Sequence, residues 1–179
     1  MNLTEGKLRG LKEISNSNNQ ITATAMDQRG SLGKMISSLN KSIEYEEGLT
    51  EFKVGVAEIL GNESSSLLLD PEYGWKASKK LNDGIGLIVA YEKTGYDASE
   101  KGRLPNLVDF YSVKDIANKN ASAIKLLVYY DIKEEDKYNK MKQTFITRVG
   151  DECKQNDILF ILEPVAYDAT EGNKNDYLK

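Results

Sequence analysis

The chain has 179 residues, 40% of them hydrophobic, and 24 Lys and Arg against 28 Asp and Glu give a net charge of −4. That balance offers no electrostatic case for binding nucleic acid or an anionic membrane, and no apolar run approaches the roughly 18 residues a membrane span needs. With no histidine and a single cysteine, imidazole triads and His-ligated zinc are excluded, and Cys153 has no disulfide partner in the chain. The opening residues lack the apolar core of a signal peptide, so a cytoplasmic protein is expected.

Leu8, Leu11 and Ile14 recur at three-residue spacing and predict a first helix, which the polar stretch 15–20 ends. Residues 21–27 read as a strand that finishes on Asp27 and runs into Gln28-Arg29-Gly30-Ser31. A polar connection leads to a helix with Leu49, Phe52, Val56, Ile59 and Leu60 as its apolar positions. Residues 65–70 are a second strand, 72–80 a short helical piece, and 84–91 a third strand running into the loop 92–97. Leu107, Phe110, Val113 and Ala117 mark another helix, and residues 123–130 a fourth strand. Tyr138, Met141, Phe145, Val149 and Cys153 define a long helix, and residues 158–163 a fifth strand. No repeat, low-complexity tract or linker divides the chain, so 1–179 is expected to be a single domain.

Alternating strands and helices imply an α/β fold with a parallel sheet and right-handed crossovers. An open doubly wound sheet and a (β/α)₈ TIM barrel compete, and side-chain alternation separates them. Ala23, Ala25 and Asp27 share one face, as do Lys125, Leu127 and Tyr129, and Ile161 and Glu163. The opposite face, with Ile124, Leu126, Val128, Phe160 and Leu162, is purely apolar. A barrel interior explains a charged face opposite an apolar one, whereas an open sheet has helices over both. The reading is therefore a (β/α)₈ barrel with about the first five β/α units. Because such barrels run to about 250 residues, the chain reads as the N-terminal part of a longer protein. Its two unpaired edges favour a homo-oligomer.

The chemistry centres on Lys125, set mid-strand in an apolar run where a charge is costly unless paired or used. Asp27 and Glu163 end their strands where barrel sites form. A lysine flanked by carboxylates suits work on a carbonyl substrate, with the desolvated amine forming a Schiff base and an acid moving protons. The blander reading is a buried ion cluster that satisfies only itself. Gly84-Ile85-Gly86 lies in a strand and matches no phosphate-binding turn. Asp70, Glu72, Glu92 and Asp97 are oxygen donors of the type Mg²⁺ takes, but loop carboxylates are common and no metal site is assigned. Cys153 reads as a small apolar residue on a helix face.

Several strings carry a resemblance. Ala25-Met26-Asp27-Gln28-Arg29-Gly30-Ser31, Leu68-Leu69-Asp70-Pro71-Glu72-Tyr73-Gly74 and Ala90-Tyr91-Glu92-Lys93-Thr94-Gly95-Tyr96-Asp97 are among them. So are Gly102-Arg103-Leu104-Pro105, Ile124-Lys125-Leu126-Leu127-Val128-Tyr129-Tyr130-Asp131 and Arg148-Val149-Gly150-Asp151-Glu152-Cys153. Together they resemble the bacterial tagatose 1,6-bisphosphate aldolases from about Gly6 to Tyr167. The resemblance implies a (β/α)₈ class I aldolase that needs no metal or other cofactor. Its substrate is a small-molecule sugar bisphosphate, cleaved to dihydroxyacetone phosphate and glyceraldehyde 3-phosphate in lactose and galactose use. It implies that Asp27, Gln28 and Arg29 line the substrate site, that Lys125 contacts substrate hydroxyls, and that Glu163 is the general acid/base. The Schiff-base lysine would belong to a sixth strand, after this chain ends. Pro164-Val165-Ala166 departs from the family's usual string. Two alternatives stay open: a non-catalytic sugar-phosphate-binding or self-associating fragment, and an aldolase for another ketose phosphate.

Overall fold

In the computed structural model, residues 3–39, 42–93 and 100–167 are described. Asp97, with the rest of its loop from residue 94, and the polar tail 173–179 lie outside them. Five strands form one sheet in the order β1 (Ala23–Met26), β2 (Ser66–Leu69), β3 (Gly86–Ala90), β4 (Ala123–Tyr130) and β5 (Leu159–Ala166). Every neighbouring pair is parallel. Sequential strands that stay adjacent and parallel, with helices between them, curl into part of a barrel. This is a half-barrel of the TIM type.

The helices are α1 (Glu5–Glu13), α2 (Gly30–Leu39), α3 (Tyr45–Ile59), α4 (Trp75–Ser78), α5 (Val113–Ala117) and α6 (Asp136–Gln155). The outer face of the sheet, with Leu67, Leu69, Leu87, Val89, Ile124, Leu126 and Val128, packs under them in the main core. The inner face is different. Near the strand starts, Ile88 and Ala123 form a smaller cluster with Ile14, flanked by Leu68, Leu159 and Ile161. Helix α1 thus plugs the N-terminal end of the barrel, and two glycines let it approach. A Cβ on Gly10 would lie 2.2 Å from the Ser122 carbonyl oxygen, and one on Gly6 2.0 Å from that of Asp157.

Four expectations need correction. The polar connection after the first strand contains helix α2, whose small Gly33 faces the ring of Tyr45. In α3 the buried face is Leu49, Lys53, Val54 and Ala57, while Phe52, Ile59 and Leu60 are exposed. Leu107 and Phe110 precede α5; Leu107 instead bridges antiparallel to Glu92, and Phe110 is exposed. Strand β5 runs three residues past Glu163 and carries Pro164 opposite Val128. A proline is tolerated there because β5 is an edge of this sheet.

Candidate active site

Strand alternation and register bring the charged groups together. Lys125 lies opposite Ala90 on β3 and Ile161 on β5, one inward step below Leu127 and Glu163. Its ammonium, almost fully buried, sits 2.9 Å from Asp27 Oδ2, 2.9 Å from Glu92 Oε1 and 2.8 Å from Glu163 Oε2. Three carboxylates, from just beyond β1 and β3 and from within β5, therefore meet one lysine from β4. Glu92 is fixed twice over, since its Oε2 also accepts the Leu127 amide N–H at 3.0 Å. Glu163 differs from the other two in being half exposed at its side chain.

Burial works against the charged form of Lys125, but the charges of Glu92 and Asp27 and the hydrogen bonds to Glu163 and Asp27 outweigh it. The net result lifts its pKa well above the ordinary lysine value. This lysine is an ammonium at neutral pH.

A second cation stands behind the first group. Arg29, buried, donates from Nη2 to the Glu92 carbonyl at 2.8 Å and lies 3.5 Å from Glu72 through Nη1. Beneath the loop that carries Asp27 to Arg29, Lys53 of α3 points in from outside the sheet. Its Nζ is 2.7 Å from the Met26 carbonyl, 2.8 Å from that of Gln28 and 2.6 Å from Asp70 Oδ2. Asp70 Oδ1 accepts the amides of Glu72 and Tyr73 and so shapes the turn after β2. Burial lowers the pKa of Lys53 against the opposing pull of Asp70.

Asp27, Gln28, Arg29, Lys125, Tyr129 and Glu163, among others, line a pocket of about 620 Å³. It opens at the carboxyl ends of the strands, where barrel enzymes place their sites. Tyr129 continues outward to Arg103, whose guanidinium lies 4.9 Å from the Tyr129 ring centre and 4.8 Å from that of Tyr167.

The DeoC/LacD family aldolase model matches residues 21–178, which takes in all five strands and every group just described. The chain belongs to the DeoC/LacD aldolase family. It is 45% identical over 168 residues to tagatose 1,6-diphosphate aldolase 2 of Streptococcus agalactiae serotype III, covering 94% of this chain and 52% of that protein. It is 46% identical over 168 residues to the tagatose 1,6-diphosphate aldolase of Listeria monocytogenes serotype 4b, covering 94% and 49%. The chain thus spans about half the length of the curated relatives it matches. A Corynebacterium glutamicum protein of known crystal structure has the same fold, with a TM-score of 0.59 at 12% identity over 90% of this chain and 55% of its own.

All five site residues expected from sequence line this one pocket in the family fold: Asp27, Gln28, Arg29, Lys125 and Glu163. Four others were missed: Glu92, Asp70, Glu72 and Lys53. Glu92 and Asp70 read as loop carboxylates open to Mg²⁺, yet each is closed on a lysine. Glu72 turns to Arg29. Among the described residues no cluster of three or more His, Cys, Asp or Glu side chains comes together as a metal site. Alternation carried signal for Glu92, because Ile88 and Ala90 put it two residues further along the inner face of β3. Lys53 had none, since a lysine in a helix reads as solvent-facing. Cys153 is fully buried on α6 and burial pushes its thiol pKa up to about 12.

Proposed function

We propose that this chain supplies the acid/base and polar part of a class I aldolase site. The reaction is cleavage of tagatose 1,6-bisphosphate to dihydroxyacetone phosphate and glyceraldehyde 3-phosphate. The observation that carries the reading is the Lys125 ammonium gripped by carboxylates from three other strands, β1, β3 and β5. Aldol cleavage needs a base to take the proton of the hydroxyl on the carbon that becomes the aldehyde, and an acid to return a proton. Glu163 suits both steps, because its side chain is half exposed to the pocket while Lys125 orients the carboxylate. Lys125 suits hydroxyl contact and charge stabilisation. A Schiff-base nucleophile must present a free amine lone pair, and the three carboxylates keep Lys125 protonated. In this reading Asp27, Gln28 and Arg29 contact substrate, Glu92 holds Lys125, and the nucleophilic lysine belongs to a sixth strand beyond the five described here. The domain is a single unit over 1–179 of a cytoplasmic enzyme, and the edges of β1 and β5 support a homo-oligomer.

One observation favours a second reading, a sugar-phosphate-binding module without activity of its own. The other lysine bordering the pocket, Lys93, is paired with Asp109 at 2.6 Å. Incubation of the protein extended through that sixth strand with tagatose 1,6-bisphosphate separates the two. Release of triose phosphate, cut by about 100-fold or more in Glu163→Gln, is the enzyme outcome; binding without release is the module outcome. Borohydride reduction with dihydroxyacetone phosphate, followed by peptide mass spectrometry, leaves Lys125 unlabelled. A reduced adduct on Lys125 would overturn the role given to it.

A further inference from the structure

Among the described residues, Lys53 is the one fully buried lysine that touches the site loop from outside the barrel, and the proposed chemistry has no use for it. Its ammonium lies 2.7 Å from the Met26 carbonyl and 2.8 Å from the Gln28 carbonyl, the two residues that flank Asp27. In an extended strand, carbonyls two residues apart are spaced by roughly 6.6 Å. Two oxygens on one nitrogen at these distances must sit closer than that, so the backbone curls around Lys53 as β1 ends. That curl aims the Asp27 side chain at Lys125, 2.9 Å away. The same ammonium is tied to Asp70, which shapes the turn bearing Glu72, and Glu72 faces Arg29.

We propose that the Lys53–Asp70 pair is a positioning device that sets the Asp27–Lys125 contact from behind the sheet. The proposal rests on the reading of Asp27 and Lys125 as site residues. A buried ion pair is weak as a source of stability, because an apolar pair of similar size often serves as well. Its direction and its two backbone acceptors are what an apolar pair cannot replace. Lys53 follows Leu49 and precedes Ala57 at four-residue steps on the buried face of α3, so the helix delivers the ammonium to a fixed point.

The test is the ¹⁵N resonance of the Lys125 side-chain ammonium, which reports the carboxylates around it. Lys53→Met keeps the aliphatic stem and removes the donor. It is expected to shift the Lys125 signal as far as Asp27→Asn does, and the double variant Lys53→Met/Asp27→Asn is expected to add no further shift. Should Lys53→Met fail to fold, Lys53→Met/Asp70→Asn removes both charges of the pair and is read the same way. A Lys125 signal unchanged from wild type in the folded variant, with only the melting temperature lowered, would overturn the positioning role. Calorimetry with tagatose 1,6-bisphosphate tests the underlying reading separately. Asp27→Asn should weaken binding by about 10-fold; binding that equals wild type sinks the site assignment, whatever Lys53 does.

Discussion

Glu92 grips Lys125 and the strand that carries it: one carboxylate oxygen lies 2.9 Å from the Lys125 ammonium, and the other accepts the amide of Leu127 at 3.0 Å. Glu92 therefore reads both the side chain and the backbone of β4, and ties the end of β3 to it. Both side chains are almost fully buried, so removing one leaves an imperfectly compensated charge. Glu92→Ala is expected to cost about 3 kcal/mol, measured as a shift in urea unfolding midpoint with the slope unchanged. A loss below ~0.5 kcal/mol would mean that Asp27 and Glu163 suffice to hold Lys125.

The plug at the base of the barrel offers a steric prediction. A methyl on Gly10 would meet the carbonyl of Ser122, a backbone atom that cannot rotate away. Gly10→Ala should destabilise by roughly 1–3 kcal/mol through forced separation of α1 from the sheet, although alanine favours helix. Thermal melting of this variant against Gly55→Ala, where the added methyl meets nothing within 4 Å, isolates the contact from helix propensity.

Alkaline pH should reveal Cys153. Its folded pKa is raised from 9.0 to about 12 by burial, so the native state holds the proton more tightly than the unfolded chain. This contribution is therefore fully present below pH 9 and is lost as pH rises towards 12. The melting temperature of wild type should fall across that window, and Cys153→Val should fall less. Thiol labelling of the native protein at pH 8 should be slow and should track unfolding.

Helix α5 has five residues, so its start matters. Ser112 accepts the Asp115 amide at 3.2 Å while the Asp115 carboxylate accepts the Ser112 amide at 2.9 Å, a reciprocal cap. Ser112→Ala should cost about 1 kcal/mol by denaturant titration. Lys93→Met, which removes an exposed ion pair with Asp109, should cost less than that.

The order of strands and the inward line of Lys125, Leu127 and Tyr129 were legible because alternation in a strand is local and rigid. Asp27 and Glu163 followed from the same rule. What alternation could not reach was contact across the sheet from a helix. Lys53 shares its helix with Leu49 and Ala57 at helical spacing, but a polar residue in that stripe gives no hint that backbone carbonyls await it. Helix α2 was hidden because Gly30, Ser31, Gly33, Ser37 and Ser38 read as loop. Phe52, Ile59 and Leu60 fit a helical period yet lie outside the core, since a three-four spacing describes a stripe without saying which stripe meets the sheet.

The trio of acids around one ammonium also gives the floor of the pocket a sign. Around Lys125 three carboxylates, Asp27, Glu92 and Glu163, meet a single ammonium, so at that point the field disfavours anions and welcomes neutral, hydrogen-bonding groups. On the proposed function, a ligand carrying phosphate at both ends would be turned by that field. Its hydroxylated middle would be drawn down to the carboxylates and its charged ends lifted towards the rim. The ion cluster would then orient the incoming sugar before any bond is touched, as a keel orients a hull.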